Sequence, residues 1–196
     1  GTTVEVTGSD VYNLIFTSGQ PWSISSNGTI FKTDVQGIVP GLLERWYSER
    51  QELQAKKKTV ETDAEKAFYD KRQLVKKINL NSLYGAILNP GCRFFDKRIG
   101  QSTTLTGRRI TRHMGAKVNE LLTGSYDHTG ETIIYGDTDS VYFSATPALP
   151  DDMHLDMDSA VTLYDRISDQ VSDTFPEFMK QDFNSPLAMG SVIKAG

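Results

Sequence analysis

A chain of 196 residues with 38% hydrophobic residues and a formal net charge of −4 is long enough to bury a core, and its apolar runs fall short of the roughly 20 residues a membrane helix requires. This composition predicts a water-soluble protein without a membrane partner. The single cysteine, Cys92, cannot form an internal disulfide, so it points to a reducing cytoplasm and a buried structural thiol.

The acidic mean hides a segregated pattern. Residues 50–77 carry nine Lys/Arg against five acids and residues 91–117 seven against one, whereas 151–182 carry nine acids against Arg166 and Lys180. The basic half is the one expected to face phosphates.

Residues 1–36 read as a β-rich lead-in, with alternation in Thr2–Thr7 and turn signals at Gly8, Ser18-Gly19, Pro21 and Asn27-Gly28. Gly37-Ile-Val-Pro40 then opens a helix with Leu42, Leu43, Trp46, Tyr47 and Leu53 near helical spacing, running into Lys56-Lys57-Lys58. Thr62 and Glu65 form a capping-box pattern that starts a second helix, about 63 to 84, and the short link predicts an antiparallel helical hairpin. On a helical wheel Ala64, Phe68, Val75 and Ile78 share the face expected to pack. Lys77, Asn81 and Tyr84 form a second row ending at Gly85.

Asn89-Pro90-Gly91 predicts a turn, Arg93–Arg98 a short aromatic strand or loop, and residues 101–123 a third helix stopped by Gly124. Leu105, Ile110, Met114, Val118 and Leu121 or Leu122 are its expected core face, and Arg108, Arg109 and Arg112 its water-facing side. Thr132–Ser144 reads as two short strands meeting at Gly136-Asp137-Thr138-Asp139-Ser140, with Gly136 supplying the freedom a tight turn needs. Two carboxylates this close repel unless a cation sits between them, so Asp137 and Asp139 are the expected ligands of a divalent metal. After a Pro147–Asp152 linker, an acidic helix is expected over about 158–179. His113, His128 and His154 lack ligand spacing and are assigned surface or turn roles.

An oxygen-ligand pair accompanied by cationic helix side chains fits phosphoryl transfer, with Arg50 and Lys77 as candidate triphosphate contacts. Lys77-Ile-Asn-Leu-Asn81-Ser-Leu-Tyr84-Gly85, followed by Tyr135-Gly-Asp-Thr-Asp-Ser140, resembles the B-family DNA polymerases, and most closely their T4-like bacteriophage branch. Gly37-Ile-Val-Pro40 through Glu49-Arg50 resembles the family's first fingers helix, and Arg93–Arg98 its aromatic link to the palm.

The resemblance implies an α+β fold in which a fingers hairpin is inserted in a partial palm whose antiparallel sheet packs on helices. Its segments are 1–36 leading into the palm, 37–85 fingers, 86–146 palm with the Asp-Thr-Asp hairpin, and 147–196 an acidic helical extension. It further implies Mg²⁺-dependent nucleotidyl transfer from a dNTP to the 3′-hydroxyl of a DNA primer on its template. Asp139 would be the main metal ligand and Asp137 its companion. Arg50, Lys77 and Asn81 would serve the triphosphate, and Tyr84 with Gly85 would lie under the nascent base pair. The compartment implied is the cytoplasm, that of the host cell if the gene is a phage's.

The pattern departs from the family at two places. Gln54 stands where a further fingers lysine is expected, and the family's other metal-binding aspartate, in a Ser-Leu-Tyr-Pro-Ser context, does not occur. The chain alone is therefore expected to be inactive and to need a complementary polymerase segment, with pairing of two copies through an exposed sheet edge as a further expectation. A non-catalytic nucleotide- or DNA-binding module and a structural interaction domain are the alternative readings.

Overall fold

The computed structural model describes residues 7–150, 155–191 and 193–195. Helices dominate and two small antiparallel sheets accompany them, the α+β class expected. The chain divides into two compact units, one made of the described residues up to Thr33 and from Ser102 on, the other of Asp34–Gln101.

The first unit opens with α1 (Gly8–Tyr12) and a π-helical turn, Asn13–Thr17, where the sequence predicts strands. Local side-chain bonds decide the matter. The Thr7 hydroxyl accepts the Asp10 amide at 3.2 Å and the Asp10 carboxylate accepts the Thr7 amide at 2.9 Å, a capping box that outcompetes the alternation. The rest of that alternation, residues 2–6, lies outside the described residues. Strands β1 (Trp22–Ile24) and β2 (Ile30–Lys32) then form a hairpin in the register Trp22↔Lys32. Its loop is tied to the long helix α4 (Lys97–Thr123), because Ser102 Oγ donates to Asn27 Oδ1 at 2.9 Å and the Ser26 amide to Thr106 Oγ1 at 3.2 Å.

The core of this unit is α4 packed with the hairpin β3 (Ile133–Asp137) and β4 (Ser140–Phe143) and with α5 (Met157–Ser172) and α6 (Phe175–Phe183). Val118, Ile167, Val171 and Phe175 form its centre, with Ile110, Met114, Leu122, Ile133 and Phe143 around them. Of the face predicted on α4, Leu105 is instead exposed, and of Leu121 and Leu122 it is Leu122 that packs on the core. The single acidic helix expected over 158–179 is two helices, since Pro176 has no N–H to give the carbonyl of Ser172 and the ladder breaks there.

Asn184 ends α6 in the left-handed region (φ 50°), and its amide donates to the carbonyls of Ile15 at 2.6 Å and Trp22 at 2.8 Å before α7 (Leu187–Gly190). Buried Asn119 of α4 accepts from Thr132 Oγ1 at 2.8 Å and donates to the carbonyl of Ser125 at 2.8 Å, fixing where β3 begins. Gly130 permits this approach, because a Cβ there would lie 2.2 Å from Asn119 Nδ2.

His113 corrects the surface role assigned to it, being only 6% exposed. Its ring stacks on Phe178 with centroids 3.8 Å apart, Nδ1 lies 2.8 Å from Tyr126 Oη and Nε2 2.9 Å from Thr174 Oγ1. The Thr174 hydroxyl proton already goes to the carbonyl of Val171 at 2.7 Å. Nε2 therefore carries the imidazole proton and Nδ1 accepts from Tyr126. Burial is the largest influence holding its pKa down at about 4, with Lys117 next.

The second unit contains α2 (Ile38–Thr59) and α3 (Asp63–Leu88). Thr62 caps α3 by accepting the Glu65 amide at 3.3 Å, while the Glu65 carboxylate takes the Thr62 hydroxyl rather than its backbone N–H. As numbers fall along α2 from Lys57 to Glu49, their ion-pair partners rise along α3 from Asp70 to Lys76, which makes the hairpin antiparallel as predicted. The packing face differs from expectation. Phe68, Val75 and Ile78 are each more than half exposed, whereas Tyr69, Gln73, Lys76, Leu80 and Leu83 are half-buried and Ile87 is buried. A pair of helices has one seam, and the cross-helix pairs of Lys57 with Asp70, Arg50 with Gln73 and Glu49 with Lys76 lie along this second stripe.

After α3 the chain turns through Asn89–Phe95, and Asp96 caps α4 by accepting the Arg98 amide at 2.8 Å. Cys92 in that turn is half-buried rather than buried. Among the described residues no helix is long and apolar enough to cross a membrane.

Candidate functional site

The carboxylates sit where β3 meets β4. Asp137 pairs with Ser140 in the register, so Thr138 and Asp139 form a two-residue loop, and Ile134 bulges out of the ladder between Ile133 and Tyr135. The strain of the turn falls on Thr138, with φ 34°, and not on Gly136, whose φ is ordinary. The expectation that glycine supplies the freedom is corrected accordingly: only the first loop residue needs the left-handed region, and a β-branched residue holds it at a cost of about 1–3 kcal/mol.

Three hydrogen bonds hold the loop. Thr138 Oγ1 donates to Asp137 Oδ1 at 3.0 Å, Ser140 Oγ to the Asp137 carbonyl at 3.3 Å, and Thr111 Oγ1 of α4 to the Thr138 carbonyl at 2.8 Å.

Both Asp137 and Asp139 are exposed, and neither enters an ion pair among the described residues. Asp139 borders an open cleft of about 430 Å³ whose lining includes Val141 and Phe143 of β4, Asp165 and Ser168 of α5, and Lys194. Two carboxylates on a short turn make an oxygen-only donor set, the share of ligands a protein usually gives Mg²⁺, whose remaining positions go to water and phosphate oxygens. The residues thus fit such an ion as a partial site. Among the described residues no cluster of three His, Cys, Asp or Glu gathers there or elsewhere.

The cationic row belongs to the other unit. Arg50 of α2 is half-buried, and its Nε donates to Gln73 Oε1 of α3 at 3.2 Å, which holds the guanidinium beside the seam. Lys77 and Asn81 are exposed along α3, Tyr84 is half-buried, and Gly85 is exposed. Lys77 has no ion pair among the described residues, unlike Lys57, bound to Asp70 at 2.6 Å, and Lys76, bound to Glu49. Lys76 and then Arg45 hold the Glu49 carboxyl below the usual carboxylate range. Nothing lies within 4 Å of a Cβ built on Gly85, so packing within the chain does not explain a glycine that costs a helix interior about 0.5–1 kcal/mol against alanine.

Of the α4 arginines, Arg109 binds Asp182 at 2.8 Å across the ring of Phe178, and Arg108 and Arg112 face water as the sequence predicts. Sequence reasoning missed Thr111 and its bond to the acidic turn. A threonine in mid-helix carries no periodic or motif signal that marks such a contact.

The family model described as DNA polymerase family B matches residues 6–185. The DNA polymerase delta catalytic subunit of Oryza sativa subsp. japonica is 35% identical over 161 residues, 81% of this chain and 14% of that protein. The DNA polymerase of Paramecium bursaria Chlorella virus NY2A is 34% identical over 144 residues, 71% of this chain and 15% of that one. The DNA-directed DNA polymerase of Escherichia phage RB69 is 40% identical over 74 residues, 37% of this chain and 8% of that one. The chain therefore spans about one seventh of the length of the first two relatives.

Proposed function

Since this chain belongs to DNA polymerase family B, we propose that it provides the nucleotide-handling hairpin and part of the metal-binding palm of a template-directed DNA polymerase. The observation that carries this reading is the Asp137–Ser140 turn: two exposed carboxylates, at and within a two-residue loop, without an ion pair among the described residues, in a chain that the family model matches from residue 6 to residue 185.

Residues 37–85 act as fingers and 86–146 as palm, with 147–196 as the palm's acidic helical extension. Asp139 is the principal metal ligand and Asp137 its companion. These two carboxylates would hold Mg²⁺, which when bound would supply charge stabilisation for in-line displacement at the α-phosphate of a dNTP by the primer 3′-hydroxyl. Lys77 offers a mobile ammonium and Arg50 a forked donor to the triphosphate oxygens, and the Gln73 contact of Arg50 leaves its remaining guanidinium N–H groups for that use. Asn81 orients the same phosphates. Tyr84 and Gly85 lie under the nascent base pair, and the open space at Gly85 supports close approach of a partner there.

A further carboxylate from a complementary polymerase segment completes the metal site, so the chain by itself is inactive. The two-stranded β3–β4 sheet has the open edges that such a segment, or a second copy of the chain, would pair with. The finer readings are a T4-like phage branch, supported by the 40% match with the RB69 enzyme, and action in the host cytoplasm.

The test is Mg²⁺-dependent extension of a primed template after the complementary segment is supplied. Asp139→Ala should abolish extension, and Lys77→Ala should raise KM for dNTP about tenfold or more. Extension that survives Asp139→Ala overturns the metal assignment. Nucleotide binding that survives Asp139→Asn, without extension in any reconstitution, identifies a non-catalytic binding module instead.

A further inference from the structure

We infer that Thr111 is a positioning residue for the acidic turn: its hydroxyl, bonded to the carbonyl of Thr138 at 2.8 Å, sets the orientation of the Thr138–Asp139 peptide and so the direction in which Asp139 presents its carboxylate. The inference rests on the metal role proposed for Asp139.

Its basis is the geometry of the loop. The Thr138 and Ser140 hydroxyls both bond to Asp137, within the hairpin, and among the described residues the Thr111 bond is the side-chain hydrogen bond that reaches the loop from another element. A loop held only from within can turn about the N–Cα bond of Thr138, a change in φ that carries the Thr138–Asp139 peptide and Asp139 with it. Thr138, strained at φ 34°, has reason to do so. That rotation turns the Thr138 carbonyl away and swings the Cα–Cβ bond of Asp139 with it.

Thr111 opposes the rotation from a rigid base. It lies in the middle of α4, four residues from Met114 and Gly115 or nearer, and it is half-buried beside a core that Met114 and Val118 join. Its single hydroxyl proton also reaches the carbonyl of Gly107 at 3.2 Å, the ordinary intrahelical partner of a helical threonine, but the Thr138 carbonyl is closer. The hydroxyl thus couples the helix to the turn, and removing it returns the proton's role to no one on the turn.

Thr111→Val removes the hydroxyl at nearly constant volume and Thr111→Ser keeps it. The probe is Mn²⁺ titrated into the full chain, read by paramagnetic broadening of the amide resonances of residues 137–140, with the amide–Hα coupling of Thr138 as a metal-free report on its φ. Thr111→Val should weaken Mn²⁺ binding about fivefold or more and change the Thr138 coupling, while Thr111→Ser stays within about twofold of the parent.

Thr111→Val that melts lower but binds Mn²⁺ like the parent, with an unchanged coupling, overturns the inference and assigns Thr111 a purely structural role. Asp139→Asn that binds Mn²⁺ like the parent removes the metal reading itself, and the inference falls with it by a separate route. If the valine variant does not give a folded spectrum, Thr111→Ala against Thr111→Ser is judged by the same two readouts.

Discussion

Lowering the pH from 7.5 to 5 should cost this protein about 2 kcal/mol of stability through His113 alone. The imidazole has an ordinary pKa of 6.5 when unfolded and about 4 when folded, with burial as the first cause and Lys117 the second. Above pH 6.5 both states leave it neutral and stability does not respond. Between 6.5 and 4 the unfolded chain takes up a proton that the folded one refuses, so stability falls as pH falls, and below about 4 both are charged and the loss levels off. The gap of 6.5 minus about 4, at ~1.4 kcal/mol per pH unit, bounds the full loss near 3 kcal/mol.

The carboxyls that have been pulled down, Asp10, Asp96 and Asp127 among them, lie below the 5–7.5 window, which isolates the histidine. Urea titrations at pH 7.5, 6 and 5 measure the slope, and His113→Gln should lower stability at pH 7.5 by about 1–3 kcal/mol while flattening the pH response. A parent protein whose stability is constant within about 0.5 kcal/mol from pH 7.5 to 5, or a His113 resonance that titrates near 6.5, refutes the reasoning.

Gly130→Ala should destabilise by about 2 kcal/mol or more in chemical denaturation, because its Cβ would sit 2.2 Å from Asn119 Nδ2 in a buried network that cannot retreat. Asn184→Ala loses both a left-handed residue and two bonds, to the carbonyls of Ile15 and Trp22; a fall of about 2 kcal/mol is expected, and Asn184→Gly should recover only the backbone part. Asp139→Ala, at an exposed position without an ion pair among the described residues, should change stability in urea by less than about 0.5 kcal/mol, while abolishing extension in the reconstituted enzyme. Lys57→Ala should change stability by less than about 1 kcal/mol and less still in high salt, since its partner Asp70 is on the solvent side of the seam.

Helices α2, α3 and α4 were legible because their signals are local. Thr62 three residues before Glu65, the Gly37–Pro40 opening and Gly124 at φ 81° each act within one turn of the backbone they terminate. The acidic turn was legible for a similar reason, since its strands and its two aspartates are contiguous. Harder to read was which stripe of an amphipathic helix finds a partner. Phe68, Val75 and Ile78 make the more apolar stripe of α3 and are exposed, yet the ion pairs of Glu49 with Lys76 and Lys57 with Asp70 mark the seam on the other. The start of the chain misled because Thr7 and Asp10 satisfy the first turn of α1 with side chains, an option that alternation does not register.

From sequence alone came the α2–α3 hairpin, the α4 helix and the acidic turn in order, the acid pair, the basic hairpin and, through the spacing of two motifs, a family resemblance that the match over residues 6–185 supports. Those properties are carried by residues within a few positions of each other, where backbone geometry leaves little choice. Tertiary structure alone decided that His113 is neutral and buried, that Asn119 requires Gly130, and that Thr111 reaches across to Thr138. These contacts join residues 11 to 61 positions apart, and only the packing of α4 against the hairpin and α6 brings them within bonding distance. The turn that bears Asp137 and Asp139 is thus written in one short stretch, while the direction in which it points is set by a helix that precedes it.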